Sequence, residues 1–155
     1  MNTIKTIGIV VLLLGLVGLG VGGAFIGIGV AKNNQVATSL RAEKVTLGIS
    51  AEDVAKGQVV DTMSEAQKAA DTLTAHRRSI APTYSDLLGG AKFDPSNLKQ
   101  LSYAQGMNLQ NYMYTAVLAF GLAQSIIANG AFMIATGLAL VVAGFAVFKL
   151  SKKTR

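Results

Sequence analysis

The sequence lacks cysteine and tryptophan, and its 155 residues include one histidine, His76. Without cysteine the chain forms no disulfide and supplies no thiolate nucleophile or thiolate metal ligand. A single imidazole excludes, within one chain, a metal site that needs several histidines, such as two histidines with a carboxylate. These absences disfavour most enzyme classes, and we expect a protein that is not an enzyme and that has no cofactor, catalytic residue or metal site.

Charge is also scarce, since 14% of the residues are charged against about 25% in soluble domains. All eight acidic residues lie between Glu43 and Asp94, whereas residues 6–31 and 100–148 carry no charge. Five of the six net positive charges come from the two ends of the chain, at Lys5, Lys149, Lys152, Lys153 and Arg155, and the middle contributes one. Because flanking cations orient membrane segments, the basic balance does not indicate a nucleic-acid partner.

The first uncharged run is long enough to cross a bilayer. As a helix, its 26 residues extend about 39 Å, more than the ~30 Å hydrocarbon core. A secretory signal with a cleavage site at Gly29-Val30-Ala31 is the alternative, but the apolar part of such signals is shorter, about 7–15 residues. We predict an uncleaved transmembrane helix over residues 1–31.

The middle of the chain, residues 32–111, has the composition of a small polar domain built from short helices. Candidate helix starts are Ser50 with Asp53, Ser64 with Gln67, and Asp94-Pro95. Each places a capping side chain before the helix, and proline suits the first helical position. No run of alternating β-branched residues predicts a strand. We predict an all-α membrane protein whose two transmembrane helices flank a small helical extracytoplasmic domain.

The second apolar region, residues 112–148, is too long for one perpendicular crossing. A straight helix of this length extends about 55 Å. One solution is a single long helix over residues 112–150, followed by a basic cytoplasmic tail over 151–155. The other is a tight turn at Asn129-Gly130, which gives three crossings and places the middle domain in the cytoplasm. A turn inside the bilayer leaves backbone groups unpaired, which favours two crossings with both termini cytoplasmic.

Tyrosines and basic residues mark candidate membrane interfaces. Tyr112 and Tyr114 stand at the start of the second apolar region, where tyrosine rings suit the outer interface. Packing against the helices of the middle domain is the alternative for both. Lys149, Lys152, Lys153 and Arg155 are the candidate inner-interface residues, with affinity for anionic headgroups.

Glycines recur every seven residues in both apolar regions. They are Gly8, Gly15, Gly22 and Gly29 in the first, and Gly130, Gly137 and Gly144 in the second. A seven-residue period keeps positions on one helix face with a drift of about 20° per repeat, and small residues let membrane helices approach closely. We predict helix-packing faces at these positions and at Gly18, although glycine is frequent in membrane helices anyway. Gly20 and Gly27 lie off this face, where a partner helix could dock.

Two further polar groups are candidates for contacts. His76-Arg77-Arg78 is the densest charge in the middle domain and suits a carboxylate, a phosphate or an acidic partner. A solvated helix C-terminus, where cations suit the helix dipole, is the favoured explanation. Gln124, Ser125, Asn129 and Thr136 are uncharged polar residues in the second apolar region. They favour hydrogen bonds between helices rather than a proton relay.

Three segments carry a resemblance to a known group: HRRSIAPTYSDL, DPSNLKQLSYAQGMNLQ and TAVLAFGLAQ. Over roughly residues 30–140 they resemble small two-span membrane proteins common in actinobacteria. Some proteins of that group carry the automatic label of aromatic ring-opening dioxygenase. That label implies an iron site made of histidines, which a chain with His76 alone does not provide. The apolar tail is longer here than in that group, which leaves the number of crossings open.

Two functions fit these features. The first is a non-catalytic accessory or scaffolding subunit of a larger integral-membrane complex, with membrane lipids and other membrane subunits as partners. The second is a self-associating homo-oligomer that is channel-like or organises lipid. Both place the chain in a membrane, which we expect to be the bacterial cytoplasmic membrane, and both use the glycine faces for assembly.

Overall fold

A computed structural model describes residues 3–153, without the side chain of Lys153, and this range contains five helices and no strand. The helices are α1 (Thr3–Glu43), α2 (Ala51–Ala55), α3 (Met63–Ile80), α4 (Tyr84–Leu88) and α5 (Leu98–Lys153). The prediction of an all-α chain is confirmed. Both α1 and α5 contain a segment that is long and apolar enough to cross a membrane, with mean hydropathies of 2.6 and 2.4.

The chain divides into two compact units. Met1–Lys32 and Leu122–Arg155 form one, which we call the hairpin unit, and Asn33–Gly121 forms the other, the middle unit. Both long helices pass from one unit into the other without a break in secondary structure.

The second apolar region is one continuous helix, because α5 runs through Asn129-Gly130 without interruption. The tight turn considered for these two residues, and the third crossing that depended on it, are therefore wrong. A continuous helix keeps every backbone hydrogen bond inside the apolar segment, whereas a turn there would leave several unmade. The first long helix likewise continues past Asn33 and Asn34 and ends at Glu43, where Lys44 adopts a left-handed φ of 51°.

The middle unit is organised around one face of α3. Ala66, Ala69, Ala70 and Leu73 are its buried residues, and their spacing is that of a single helical stripe. Small alanine side chains let other segments pack closely against this stripe. The core cluster they join includes Leu40 of α1, Val60, and Met113 and Phe120 of α5.

The helix starts agree with the sequence signals in one of three cases. Ser50 caps α2 as predicted, since its hydroxyl oxygen accepts a hydrogen bond from the Asp53 N–H at 3.2 Å. The start predicted at Ser64 is wrong: α3 is capped by Thr62, which forms a reciprocal capping box with Glu65. The carboxylate of Glu65 also accepts hydrogen bonds from the Asp61 N–H and from Gln58, contacts that favour the earlier start.

The helix start predicted at Asp94-Pro95 is also wrong. Asp94 instead accepts hydrogen bonds from the hydroxyl and the N–H of Ser96, which close a turn. The helix begins at Leu98, where Asn97 Oδ1 accepts from the Lys99 and Gln100 N–H groups. Asn97 therefore performs the capping that the sequence suggested for Asp94.

Candidate functional site

The helices of the hairpin unit lie against each other along the seven-residue glycines. All seven of these glycines are buried, and they lie opposite one another in antiparallel order. A Cβ built on Gly15 would be 2.7 Å from the Gly137 carbonyl oxygen, and one built on Gly137 would be 2.8 Å from the Gly15 carbonyl oxygen. Real Cβ atoms essentially never approach other atoms this closely. Only glycine fits at this crossing without moving a backbone.

The same contact repeats toward both ends of the hairpin. A Cβ on Gly22 would be 2.7 Å from the Gly130 oxygen, and a Cβ on Gly144 would be 2.9 Å from the Gly8 oxygen. At the far end, Gly29 faces the Ala123 oxygen at 2.9 Å. Gly18 is less tightly enclosed, since its nearest atom is the Gly137 Cα at 3.4 Å.

Contacts of this kind hold apolar helices together in lipid. Lipid tails are as apolar as the helices, so association depends on close packing rather than on hydrophobic burial. At each crossing the position that a Cβ would occupy carries a glycine hydrogen that points toward a carbonyl oxygen of the other helix. Such Cα–H···O contacts contribute roughly 0.5–1 kcal/mol each, and three reciprocal glycine pairs add several of them.

A second set of glycines on α1 makes no such contact. Cβ atoms built on Gly20, Gly23 and Gly27 would meet nothing within 4 Å among the described residues. All three are exposed. The glycines of α1 therefore fall into a closed set, used within the hairpin, and an open set on a different side of the helix.

Three lysines lie together at one end of the hairpin. The Nζ atoms of Lys5 and Lys152 lie 5.9 and 5.0 Å from the centroid of the Phe148 ring. Lys149 lies 5.3 Å from the centroid of Phe145. Cation–π contacts of this kind hold an ammonium group beside an aromatic ring. The side chain of Lys153 and all of Arg155 lie outside the described residues.

The two tyrosines proposed for the outer interface have different surroundings within the middle unit. The Tyr114 hydroxyl is 3.4 Å from Asp71 Oδ1 of α3, so this side chain contacts a helix of the same unit. Tyr112 is 39% exposed and lines an apolar cavity of about 340 Å³ with Val36, Leu40 and Ala116. Tyr114 therefore packs against α3 of the middle unit, which was the alternative to a place at the membrane interface.

The three residues of the basic cluster on α3, His76, Arg77 and Arg78, have different surroundings in the fold. His76 and Arg78 are exposed, whereas Arg77 is partly buried. The guanidinium carbon of Arg77 lies 4.8 Å above the Tyr103 ring, and the group donates hydrogen bonds to the Tyr103 hydroxyl and to Gln110 Oε1. Arg77 is thus engaged inside the middle unit, which leaves His76 and Arg78 as the exposed part of the cluster.

Tyr103 is a core residue of the middle unit that the sequence did not indicate. Its side chain is fully buried, the largest among the described residues to be so, and its ring lies 6.1 Å from that of Tyr84. The seven-residue spacing of Tyr103 and Gln110 places both on one face of α5. That spacing is a local signal, but the sequence does not indicate that Arg77 is their partner.

A polar cleft of about 520 Å³ in the middle unit is lined by Asp53, Gln58, Glu65 and Lys68, among others. Burial raises the pKa of Glu65, but hydrogen bonds from Asp61, Thr62 and Gln58 outweigh it and leave the pKa below its usual range. Hydrogen bonds from Ser96 similarly lower the pKa of Asp94. Glu65 is therefore an ionised capping group with its acceptor sites in use, which makes it a poor proton donor or acceptor for catalysis.

The remaining candidates are metal-ligand groupings and the uncharged polar residues of α5. Among the described residues no group of three or more His, Cys, Asp or Glu side chains is arranged to hold a metal. Gln124, Ser125, Asn129 and Thr136 are all exposed on α5, and Thr136 lines a groove of about 130 Å³ with Gly18 and Gly137. Comparisons of the chain with models of protein families, with curated proteins and with solved structures find no match.

Proposed function

We propose that this chain is a non-catalytic accessory or scaffolding subunit of a larger integral-membrane assembly. The observation that carries the proposal is the division of the α1 glycines into two sets. Gly8, Gly15, Gly22 and Gly29 complete the hairpin, and Gly20, Gly23 and Gly27 meet no atom of the described chain. A membrane helix with a second stripe of small residues is suited to the close approach of another helix.

We further propose that the hairpin crosses the membrane twice, with both termini in the cytoplasm and the middle domain outside. Lys5, Lys149 and Lys152 lie together beside Phe145 and Phe148, so the hairpin has one basic end. Lysine and arginine near membrane segments favour the cytoplasmic side. The middle domain holds nine basic and eight acidic residues. Its small net positive charge is only a weak barrier to translocation across the membrane.

Cysteine labelling tests this orientation, because the natural chain has no cysteine to interfere. Ser64 and Lys152 are both exposed, and Ser64→Cys and Lys152→Cys serve as controls for each other. A membrane-impermeant maleimide added to intact cells is expected to label Ser64→Cys, and to label Lys152→Cys only after permeabilisation. The reverse pattern, or equal labelling of both from outside, would show that the proposed orientation is wrong.

Affinity purification in a mild detergent, followed by mass spectrometry, tests the accessory role. We expect at least one other integral-membrane protein to co-purify in a fixed ratio with the tagged chain. Gly27→Leu is expected to reduce that ratio severalfold, because a Cβ at this position meets no described atom within 4 Å and the leucine side chain projects into the open glycine face. Leu14→Ile, at a 57% exposed position on another side of α1, is the control and should leave the ratio unchanged. Recovery of this chain alone would contradict the proposal.

A further inference from the structure

Lysines of both long helices lie beside one aromatic ring at the basic end of the hairpin unit. The ammonium nitrogens of Lys5 on α1 and Lys152 on α5 lie 5.9 and 5.0 Å from the centroid of the Phe148 ring, and therefore within about 11 Å of each other. A close backbone contact brings the helices together here, because a Cβ built on Gly8 would be 2.8 Å from the Phe148 nitrogen. The two lysines are thus neighbours only while the hairpin is closed.

No carboxylate side chain of the hairpin unit can neutralise this charge. The unit consists of Met1–Lys32 and Leu122–Arg155, and neither segment contains Asp or Glu. Lys5, Lys149 and Lys152 are all exposed. Like charges at short range repel each other, and an aromatic ring offsets a cation only partly. The three lysines are therefore complementary to an anion that the unit itself does not supply.

An exposed apolar stripe on α5 leads directly to these lysines. Leu138, Val142 and Phe145 precede Lys149 and Lys152 at alternating intervals of four and three residues, which is the spacing of one helix face. The three apolar residues are 53%, 69% and 53% exposed. From Leu138 to Lys149 the helix rises about 16 Å, close to half of the ~30 Å hydrocarbon core and thus to the depth of one leaflet. We call these five residues the α5 amphipathic stripe.

We propose that the closed hairpin binds an anionic phospholipid, with its phosphate at Lys5, Lys149 and Lys152 and an acyl chain along the α5 amphipathic stripe. Ammonium groups donate charge-assisted hydrogen bonds to phosphate oxygens, and the flexible lysine stem lets groups from two helices reach one phosphate. A free phosphate would use the lysines and leave the apolar residues uncovered, whereas a phospholipid matches both. The proposal rests on the membrane placement proposed above and is independent of the accessory role.

Lipid binding is expected to hold the hairpin closed. Lys5 belongs to α1, whereas Lys149 and Lys152 belong to α5, so one headgroup contacts both helices. A ligand that binds only the closed form stabilises that form by mass action. The lipid therefore adds a charged contact at the basic end to the backbone packing along the glycines.

Native mass spectrometry of the full chain in a non-ionic detergent tests the site. The chain is mixed with phosphatidylglycerol, which is anionic, or with phosphatidylcholine, whose choline cancels the phosphate charge. We expect phosphatidylglycerol to bind severalfold more tightly. Lys5→Gln and Lys152→Gln should each lower its affinity roughly fivefold, the contribution of one lysine near an anionic headgroup. Lys5→Arg keeps the charge and should retain most of the affinity.

Lys99→Gln is the matched control for Lys152→Gln. Both residues are exposed and belong to α5, and both variants change the net charge by the same amount. Lys99→Gln should leave the affinity for phosphatidylglycerol unchanged. Equal binding of the two lipids, or an equal loss in Lys99→Gln and Lys152→Gln, would show that there is no lipid site at the basic end. A loss in Lys152→Gln without one in Lys5→Gln would exclude the bridging of the two helices.

Two competitors distinguish the lipid from other anions. Glycerol phosphate has the headgroup chemistry without acyl chains, and an oligoglutamate peptide represents an acidic protein segment. Neither should displace phosphatidylglycerol at a comparable concentration. Displacement by glycerol phosphate would identify a free phosphate as the ligand, and displacement by the peptide would identify an acidic protein. Either result would overturn the lipid proposal.

The orientation and the lipid site fail in different experiments. Labelling of Ser64→Cys only from the cytoplasm would reverse the orientation and place the site in the outer leaflet, with the lipid preference unchanged. The expected labelling together with no preference for phosphatidylglycerol would reject the lipid site alone.

Discussion

Gly137→Ala is expected to destabilise the hairpin, although it adds only one methyl group. The new Cβ would lie 2.8 Å from the Gly15 carbonyl oxygen and 2.9 Å from the Leu19 nitrogen. Both are backbone atoms of α1, so no side chain can rotate away and the helices must separate. Overpacking of a tight contact costs about 1–3 kcal/mol, and Gly137→Leu should cost more because its whole side chain enters the same space.

Gly20→Ala is the matched control, and its effect is expected to have the opposite sign. A Cβ at Gly20 meets no described atom within 4 Å, and alanine favours a helix over glycine by about 1 kcal/mol. Both variants add the same methyl group to a helix of the hairpin unit. They differ in whether the other helix of the hairpin lies beside it.

Fluorescence energy transfer measures hairpin opening directly. Dyes attached to Lys5→Cys of α1 and Lys152→Cys of α5 report the separation of the two helix ends, since both lysines lie near the Phe148 ring. The loss of transfer during titration with a denaturing detergent gives the relative stability of each variant. Equal midpoints for Gly137→Ala and Gly20→Ala would show that the glycine contact does not determine hairpin stability.

The sequence contains much of the information for the hairpin because the glycine contact is periodic. Each helix carries glycine every seven residues along one face, so these positions predict where the two backbones can approach. The all-helical fold follows similarly from the long apolar runs and from the absence of alternating strand patterns. These are regular, local features.

The missed features depend on contacts between distant residues. Ser64 with Gln67 and Thr62 with Glu65 are both plausible caps, and the structure uses the second, in which Glu65 also accepts from Gln58. The contact of Arg77 with Tyr103 joins residues 26 positions apart. Nothing in the local pattern of His76-Arg77-Arg78 distinguishes a solvated arginine from one that packs on a buried ring.

Tyr103→Ala is expected to produce the largest loss of stability in the middle unit. The side chain is fully buried, and truncating a large buried aromatic residue to alanine costs about 3–5 kcal/mol. The change also removes the ring beneath the Arg77 guanidinium and the hydroxyl to which it donates. A partly buried cation would then keep Gln110 as its one hydrogen-bond acceptor among the described residues.

Tyr103→Phe separates the ring from the hydroxyl. It keeps the aromatic contact with Arg77 and Tyr84 and removes only the hydrogen-bond acceptor. A hydrogen bond to a charged group contributes about 1.5–3 kcal/mol, so this variant should lie between the natural chain and Tyr103→Ala. The order of the three proteins therefore reports whether burial of the ring or the hydrogen bond contributes more.

Limited trypsin digestion of the full chain in mild detergent measures this order. Arg77 and Arg78 are trypsin sites within α3, and cleavage of a helix requires that it first open. When opening is fast relative to cleavage, the rate follows the population of the open form. We expect the fastest cleavage in Tyr103→Ala, an intermediate rate in Tyr103→Phe and the slowest in the natural chain. Equal rates in all three would show that α3 opens independently of Tyr103, contrary to the packing of Arg77 on its ring.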